Sequence, residues 1–494
     1  MTEGAQASLK PHTAARLALP TAIALATFAL LAIFAGVDPP RGISFSTSPF
    51  TDEAWNVLNA RNLVVLGRWS TDDWNRQLVS VPFSLLHALA FMIGGVGIIQ
   101  ARIVEIAAVA VTAGLLVAAL RRPLGTGPAL LGGIALATSP LVLYYGRLVY
   151  LEPLTALGLT AAALLVLGIH ARRPELAGAA AGVAIAFAIG TKLLAAPDAV
   201  GIGAGVAILA IRDRASLRWL GGMAGGLAAC LTLWVVLVWL PNRDAVAAVV
   251  RTWPPETLPR SIGGVIDRIS QYVRANDGAL ALSAVQLIGA GIGAVVSFAR
   301  WRRLAPDARL LLAAGVGWAV AGFATLAIVP YSPNRYVVPT LPALALVIAV
   351  GAHAAIGWLS AHGTRRSFVL VAGGVLAGVL LAAPGLGRYA QWMGSTATTL
   401  PQIQDRVRTI IPAGAVVEGP YAPLFAMRAD ATTIITNFGA NPGDLYVTKG
   451  VRWYVGARTT SPVWAALHPG PWSQRQAVTC VTWAAAPVCI YHLP

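Results

Sequence analysis

The sequence predicts an all-α polytopic membrane protein of about eleven transmembrane helices, followed by a small C-terminal extracytoplasmic α/β domain. Three observations carry that reading. Of the 494 residues, 57% are hydrophobic and only 11% charged, whereas a soluble globule covers its surface with roughly a quarter charged residues. Apolar runs long enough to cross a hydrocarbon core recur along most of the chain. Clusters of Lys and Arg fall in alternate connections between those runs, the pattern of the positive-inside rule.

In chain order the spanning segments are Arg16–Ala35, Arg102–Leu120, Pro128–Tyr145, Pro153–Ile169, Leu176–Gly190, Leu194–Ile211, Leu217–Leu240, Ala279–Phe298, Leu310–Ile328, Val337–Trp358 and Phe368–Leu386. The first is longer than the apolar core of a cleaved signal peptide, roughly 7–15 residues, and is read as a helix. With Lys10 and Arg16 inside, the inner loops carry Arg121-Arg122, Arg172-Arg173, Arg212 to Arg218, Arg300 to Arg309 and Arg365-Arg366. An odd number of crossings then places the N-terminus in the cytoplasm and everything after Gly387 outside the cell membrane.

Two outer connections are long. The first, Val37–Ala101, contains the apolar stretch Pro82–Ile99. Reading that stretch as a span would send the basic loops outside, so an interfacial helix is expected. The second, Pro241–Gly278, carries Trp253, Pro254, Pro255 and Pro259. The net charge of +16 is accounted for by these topology-setting loops and by contact with anionic headgroups. No basic region with interleaved aromatics stands apart from the membrane segments, which argues against nucleic acid as a partner.

Residues 1–390 form the expected membrane domain and 391–494 the expected extracytoplasmic one. In the latter, Pro412-Ala413-Gly414 and Asn441-Pro442-Gly443 are turn signals, and Ala415–Val417, Thr432–Thr436, Val451–Val455 and Val478–Thr482 have strand character. Cys480 and Cys489 flank a short turn-like stretch. Outside the cell they can pair as a disulfide; otherwise they are two unrelated buried thiols.

The densest polar signal follows the first helix: Phe50-Thr51-Asp52-Glu53-Ala54-Trp55-Asn56, continuing through Asn59, Arg61-Asn62 and Trp69 to Asp72-Asp73-Trp74. Thr51 or Asp52 can cap a helix beginning at Glu53, with the acids near its positive end. An acid at the membrane surface can also take the proton from an acceptor hydroxyl as a sugar leaves a phosphate. That chemistry needs positive charge on the leaving phosphate. Arg147, Lys192 and Arg335 stand at outer helix ends, where each either meets a phosphate or snorkels to the headgroups. Glu152, ahead of Pro153, either caps a helix or meets Asp52 or a metal. Glu105 is expected to pair with Arg102. There is no G-x-x-x-x-G-K-S/T phosphate loop, no H-E-x-x-H and no paired C-x-x-C. Glycines such as those in Gly221–Gly226 suit close helix packing rather than a nucleotide.

Several of these features recur in a set order: Asp52-Glu53 after the first helix; Pro82-Phe-Ser-Leu-Leu-His-Ala-Leu before Gln100-Ala-Arg102-Ile; Tyr144-Tyr-Gly-Arg147 to Glu152-Pro-Leu; Gly190-Thr-Lys192; and Asn334-Arg335-Tyr336 to Pro339-Thr-Leu-Pro342. In that order, over the first 390 or so residues, the chain resembles the GT-C superfamily of polyprenyl-phosphate-sugar-dependent glycosyltransferases. That group includes protein O-mannosyltransferases and the aminoarabinose transferases acting on lipid A. The resemblance implies transfer of a sugar from a polyprenyl-phosphate carrier in the bilayer to an extracytoplasmic acceptor, by an inverting mechanism. Asp52 matches the catalytic or acceptor-binding aspartate, with Glu53 beside it. Lys192 and Arg335, with Tyr336 and Arg147, are expected near the donor phosphate.

Two departures leave metal use open. Glu152 stands where relatives usually carry Asp, and Val81-Pro82 replaces a common Pro-Pro. A divalent cation, if one is used, would sit at Asp52 and Glu152. Two other readings compete. A lipid-linked saccharide flippase or other transporter predicts internal repeats and acids or broken helices at the bilayer midplane, and a non-catalytic envelope-glycan assembly protein would use its acids only as caps.

Overall fold

Proline and glycine cut the apolar runs into helices, and the cuts decide which side chains reach the site. The computed structural model describes residues 11–39, 52–69, 79–210, 214–252, 261–274, 279–329, 333–360, 367–394, 397–436, 445–457, 469–483 and 486–494. Phe50, Thr51, Asp72-Asp73-Trp74, Trp253 to Pro259 and Asn441-Pro442-Gly443, singled out above, lie outside the described residues. The first helices are α1 (Pro11–Ala32), α2 (Asp52–Asn56), α3 (Leu58–Leu66), α4 (Val81–Gly94) and α5 (Ile98–Leu124). Next come α6 (Thr126–Ala137), α7 (Pro140–Tyr145), α8 (Leu151–Leu164), α9 (Pro174–Thr191), α10 (Ala195–Ala210) and α11 (Arg214–Trp234). Then follow α12 (Arg243–Thr252), α13 (Ile262–Arg274), α14 (Ala279–Leu282), α15 (Ala284–Ala299), α16 (Pro306–Ile328), α17 (Leu341–Ser360) and α18 (Ser367–Gly394).

Among the described residues, seven helical stretches are long and apolar enough to cross a membrane: Ile98–Leu124, Leu151–His170, Pro174–Thr191, Arg214–Ala247, Pro306–Ile328, Asn334–Ser360 and Val371–Gly394. Shorter apolar helices, Leu17–Ala32, Thr126–Ala137, Ala195–Leu209 and Ala284–Ala299, occupy the other four predicted segments. The third predicted segment is not one helix. It breaks at Ser139, because Pro140 lacks an N–H and is suited to a helix's first turn, where it starts α7. Helix α4 has 14 residues, a rise of about 21 Å, which is short of the roughly 30 Å hydrocarbon core. One side of it buries Phe83, His87 and Phe91, while Leu85, Leu89, Met92 and Ile93 are exposed, as an interfacial helix requires.

Small residues let the helices close up. On α9 and α11, Gly178 and Gly182 face Gly222 and Gly226, and a Cβ at any of the four would collide with a backbone carbonyl of the other helix. This is small-residue packing of the kind that replaces hydrophobic drive inside lipid. On α10 and α16, Gly201 and Gly205 meet Gly317 in the same way.

After α18 the chain forms α19 (Leu400–Ile410), β1 (Ala415–Glu418), α20 (Ala422–Phe425), β2 (Ala431–Ile434), α21 (Leu445–Thr448), β3 (Trp453–Ala457), β4 (Gln476–Trp483) and β5 (Ala486–His492). The sheet order is β2-β1-β3-β5-β4. β1 pairs in parallel with β2 and β3, and β5 pairs antiparallel with β3 and β4. β5 was not foreseen in the sequence, where its first residues read as part of a turn. Cys480 and Cys489 face each other across β4 and β5 and are joined by a disulfide.

This C-terminal unit is bolted onto the first long connection. Asp38 accepts hydrogen bonds from the Thr399 and Leu400 amides and the Thr399 hydroxyl, capping α19. Arg61 of α3, 1% exposed, donates to the carbonyls of Ala426, Met427 and Ala429 just beyond α20. Around these polar bolts, Val57, Ala60, Phe83, Phe91 and Ile98 share one apolar core with Leu400, Ile403, Phe425, Met427 and Trp483.

Arg61→Met is therefore expected to leave three buried carbonyls short of a donor. A loss of about 2–4 kcal/mol is expected, read as a lower melting temperature together with faster proteolysis within residues 397–494.

Candidate active site

The site begins just past α1, where the backbone carbonyls of the following turn, at Phe34, Ala35 and Val37, face two buried arginines. Arg102 of α5 donates through Nη1 to the carbonyls of Ala35 and Val37, both at 2.8 Å. Arg147, in the turn after α7, donates through Nη1 to Val37 at 2.9 Å and Phe34 at 3.3 Å. Both arginines are fully buried.

Arg102 also makes a two-pronged ion pair with Glu53: Nε to Oε1 at 2.8 Å and Nη2 to Oε2 at 2.6 Å. Glu53 Oε1 accepts a further bond from the Val149 amide at 3.0 Å, and Asn56 Nδ2 donates to the Val149 carbonyl at 2.8 Å. Helix α2 has five residues and cannot hold its orientation alone; these bonds hold it between α5 and the segment before α8.

Fixing Glu53 inward turns its neighbour the other way. Asp52 faces Arg335, with Oδ2 at 3.2 Å from Nη2. Arg335 lies in a 3-10 stretch (Asn334–Thr340) that leads into α17. Its Nε is 3.5 Å from Glu152 Oε1, in the first turn of α8. The same oxygen receives Lys192 Nζ at 2.5 Å, from the bend between α9 and α10. The result is a chain of alternating charge, Asp52, Arg335, Glu152 and Lys192, gathered from four parts of the sequence. Aromatic faces support both cations. Lys192 Nζ stands 3.5 Å from the centre of the Tyr336 ring, and the Arg335 guanidinium 4.7 Å from that of Tyr150. Burial pushes the Tyr150 phenol well above its ordinary range, so it stays neutral and serves as a platform.

Exposure within the chain is graded. The side chain of Asp52 is 35% exposed, those of Arg335 and Lys192 11% and 12%, and that of Glu152 1%. Asp52 is thus the carboxylate a substrate can reach. A site of this kind offers one reachable base beside two cations whose buried setting strengthens their pull on an anion.

Of the expected site residues, the structure brings together Asp52, Glu152, Lys192, Arg335 and Tyr336. Two expectations change. Glu53, expected beside Asp52 in the chemistry, is 0% exposed and its oxygens are taken by Arg102 and Val149; it is a strut. Arg147, expected among the phosphate cations, is buried and gives Nη1 to the Phe34 and Val37 carbonyls of the turn after α1, while its Nε and Nη2 have no hydrogen-bond partner among the described residues. Glu105 does not pair with Arg102 either; it faces His87, with Nε2 at 3.3 Å from Oε1. Asp52 and Glu152, the acids considered for a divalent cation, have the Arg335 guanidinium between them, and no cluster of three or more His, Cys, Asp or Glu suited to a metal occurs among the described residues. Two carboxylates already sharing a guanidinium do not fit a metal ion.

Arg102, Asn56 and Tyr150 were not singled out for these contacts. The Glu53–Arg102 pair spans 49 positions, and no local spacing encodes it. Replacing Arg102 with Met leaves Glu53 buried without its counter-charge, an expected cost of about 3–5 kcal/mol. The double variant Glu53→Gln with Arg102→Met should recover part of that loss in a thermal melt.

Residues 81–240 match the family model described as dolichyl-phosphate-mannose-protein mannosyltransferase. No curated protein sequence gives a significant match. Among solved structures, ArnT from Cupriavidus metallidurans in the apo state superposes with a TM-score of 0.66 at 17% identity, covering 97% of this chain and 98% of that one. The same protein bound to undecaprenyl phosphate gives 0.65 at 16% identity, with the same coverage. The archaeal oligosaccharyltransferase AglB from Archaeoglobus fulgidus, in complex with an inhibitory peptide and a dolichol-phosphate, gives 0.53 at 13%, covering 88% of this chain and 69% of AglB. The mycobacterial arabinofuranosyltransferase AftD gives 0.54 at 17%, covering 97% of this chain and 41% of that protein. The chain is a multi-helix membrane protein with the ArnT-like GT-C fold.

Proposed function

We propose that this protein is a membrane glycosyltransferase that moves a sugar from a polyprenyl-phosphate carrier to an extracytoplasmic acceptor, a cell-envelope glycan, lipid or protein. The observation that carries the reading is the reachable carboxylate of Asp52 set 3.2 Å from Arg335, with Lys192 one acid further along the same chain of charge. The undecaprenyl phosphate held by the similarly folded ArnT supports a lipid phosphate as the group those cations meet.

The donor phosphate enters between Arg335 and Lys192 and takes over contacts now made by Asp52 and Glu152. Freed from Arg335, Asp52 accepts the proton of the acceptor hydroxyl. The acceptor oxygen forms its bond to the anomeric carbon from the face opposite the phosphate. The bond from that carbon to the phosphate oxygen breaks, its electron pair leaves with polyprenyl phosphate, and the configuration inverts. The phosphate gains one negative charge as it leaves, which Arg335 and Lys192 stabilise. Glu152 orients both cations, and no step runs through a metal.

In this reading residues 1–390 are the catalytic membrane unit with a cytoplasmic N-terminus. Residues 391–494 form an extracytoplasmic cap, where an oxidising environment suits the Cys480–Cys489 bond.

Asp52→Asn keeps the shape and removes the base. In membranes supplied with labelled polyprenyl-phosphate sugar, transfer should fall by about 10²–10⁴-fold while the protein remains folded and still binds undecaprenyl phosphate. Unchanged transfer by a folded Asp52→Asn protein would overturn the assignment.

A further inference from the structure

Beyond the chain of four charges lies a fifth, which the proposed reaction leaves unused. Asp198 occupies the first turn of α10, six residues after Lys192, and is only 5% exposed. Trp318 of α16 is a hydrogen-bonding neighbour of its carboxylate, while its Oδ1 meets no donor at full hydrogen-bond geometry among the described residues. The α10 N-terminus favours a negative charge in its first turn, yet a buried carboxylate oxygen without a partner is costly unless something polar visits it.

The surroundings indicate what visits. Asp198 lines a small, partly open cavity of about 20 Å³ together with Lys192, Tyr336, Thr155, Thr325 and Thr340, room for one water molecule. Gly322 of α16 makes the space possible. A Cβ there would lie 2.7 Å from Asp198 Oδ1 and would collide with Thr340 Oγ1. The close approach of α10 and α16 at Gly201, Gly205 and Gly317 brings these two stretches together.

Lys192 therefore stands between two carboxylates. It is bonded to Glu152 on one side, and on the other it shares a mainly apolar cavity with Asp198, whose charge it feels. A donor phosphate that draws Lys192 away from Glu152 supplies a new counter-charge only once it is seated, and a buried ammonium between partners is destabilised. We propose that Asp198 is a positioning residue for the donor phosphate: it acts through a water in this cavity as the standing counter-charge of Lys192, so that Lys192 can release Glu152 and turn to the phosphate.

This rests on the reading of Lys192 as a phosphate-binding cation, and the experiment separates the two. Undecaprenyl phosphate binding to the purified full chain is measured for wild type, Asp198→Asn, Asp198→Glu, Lys192→Met and the double variant Asp198→Asn with Lys192→Met. Each protein's fold is checked by thermal melting. Asp198→Asn is expected to weaken binding on the order of tenfold, and Asp198→Glu to recover part of it. The double variant should bind no worse than Lys192→Met alone, because Asp198 acts only through Lys192. Normal binding by Asp198→Asn beside impaired Lys192→Met overturns this inference, as do losses that simply add. Normal binding by Lys192→Met overturns instead the phosphate role of Lys192. Should Asp198→Asn fail to fold, Thr340→Val removes the cavity hydroxyl at nearly constant volume. Its smaller loss must likewise vanish in the Lys192→Met background, and its persistence there overturns the inference.

Discussion

The fully buried ion pair between Glu53 and Arg102 is the constraint from which the rest of the site follows. A guanidinium in a low-dielectric interior is tolerated only when its donors are satisfied. Arg102 gives its donors to both oxygens of Glu53 and to two carbonyls of the turn after α1. One side chain of α5 thereby holds the chain leaving α1 and sets how α2 is rotated. Because consecutive residues on a helix point about 100° apart, locking Glu53 inward places Asp52 at the accessible edge, facing Arg335.

The same economy runs through the four-charge chain. Asp52, Arg335, Glu152 and Lys192 balance to zero, so the site tolerates burial before any substrate arrives. An entering phosphate brings its own negative charge and can replace a carboxylate as partner to either cation without isolating it. Tyr150 and Tyr336 keep the cations facing ring surfaces while partners change. Asp198 adds a further acid beside Lys192, at the close contact of α10 and α16.

The C-terminal unit contributes by holding the roof. Asp38 caps α19, and Arg61 satisfies the carbonyls after α20. Two polar groups from the long connection after α1 thus anchor the segment that covers it, around an apolar core shared between the two. Helix α2, which carries Asp52, lies within that connection.

How much of this is legible in the sequence varies by element. Each of the eleven predicted segments falls mainly on helix among the described residues, and seven of them meet stretches long and apolar enough to span, because an apolar run of spanning length can satisfy its backbone in lipid only as a helix. The break before α7 is also a local matter, set by Pro140. Glu152, Lys192 and Arg335 could be named because each is a charged residue at the end of an apolar run, where a charge needs a reason, and Asp52 because it falls in the densest polar stretch of the first long connection. Their sorting could not be read. Glu53 looks like a second catalytic acid beside Asp52, and Arg147 looks like one more cation at a helix end, yet Glu53 is engaged by Arg102 and Val149, and Arg147 is buried with Nη1 on the turn after α1. Tertiary structure alone decided which charges face the cleft and which face each other, because the partners are dozens to hundreds of residues apart. Lipid as the solvent for most of the chain was written in its composition; the pairing of its few charges depends on distances that only the folded chain sets.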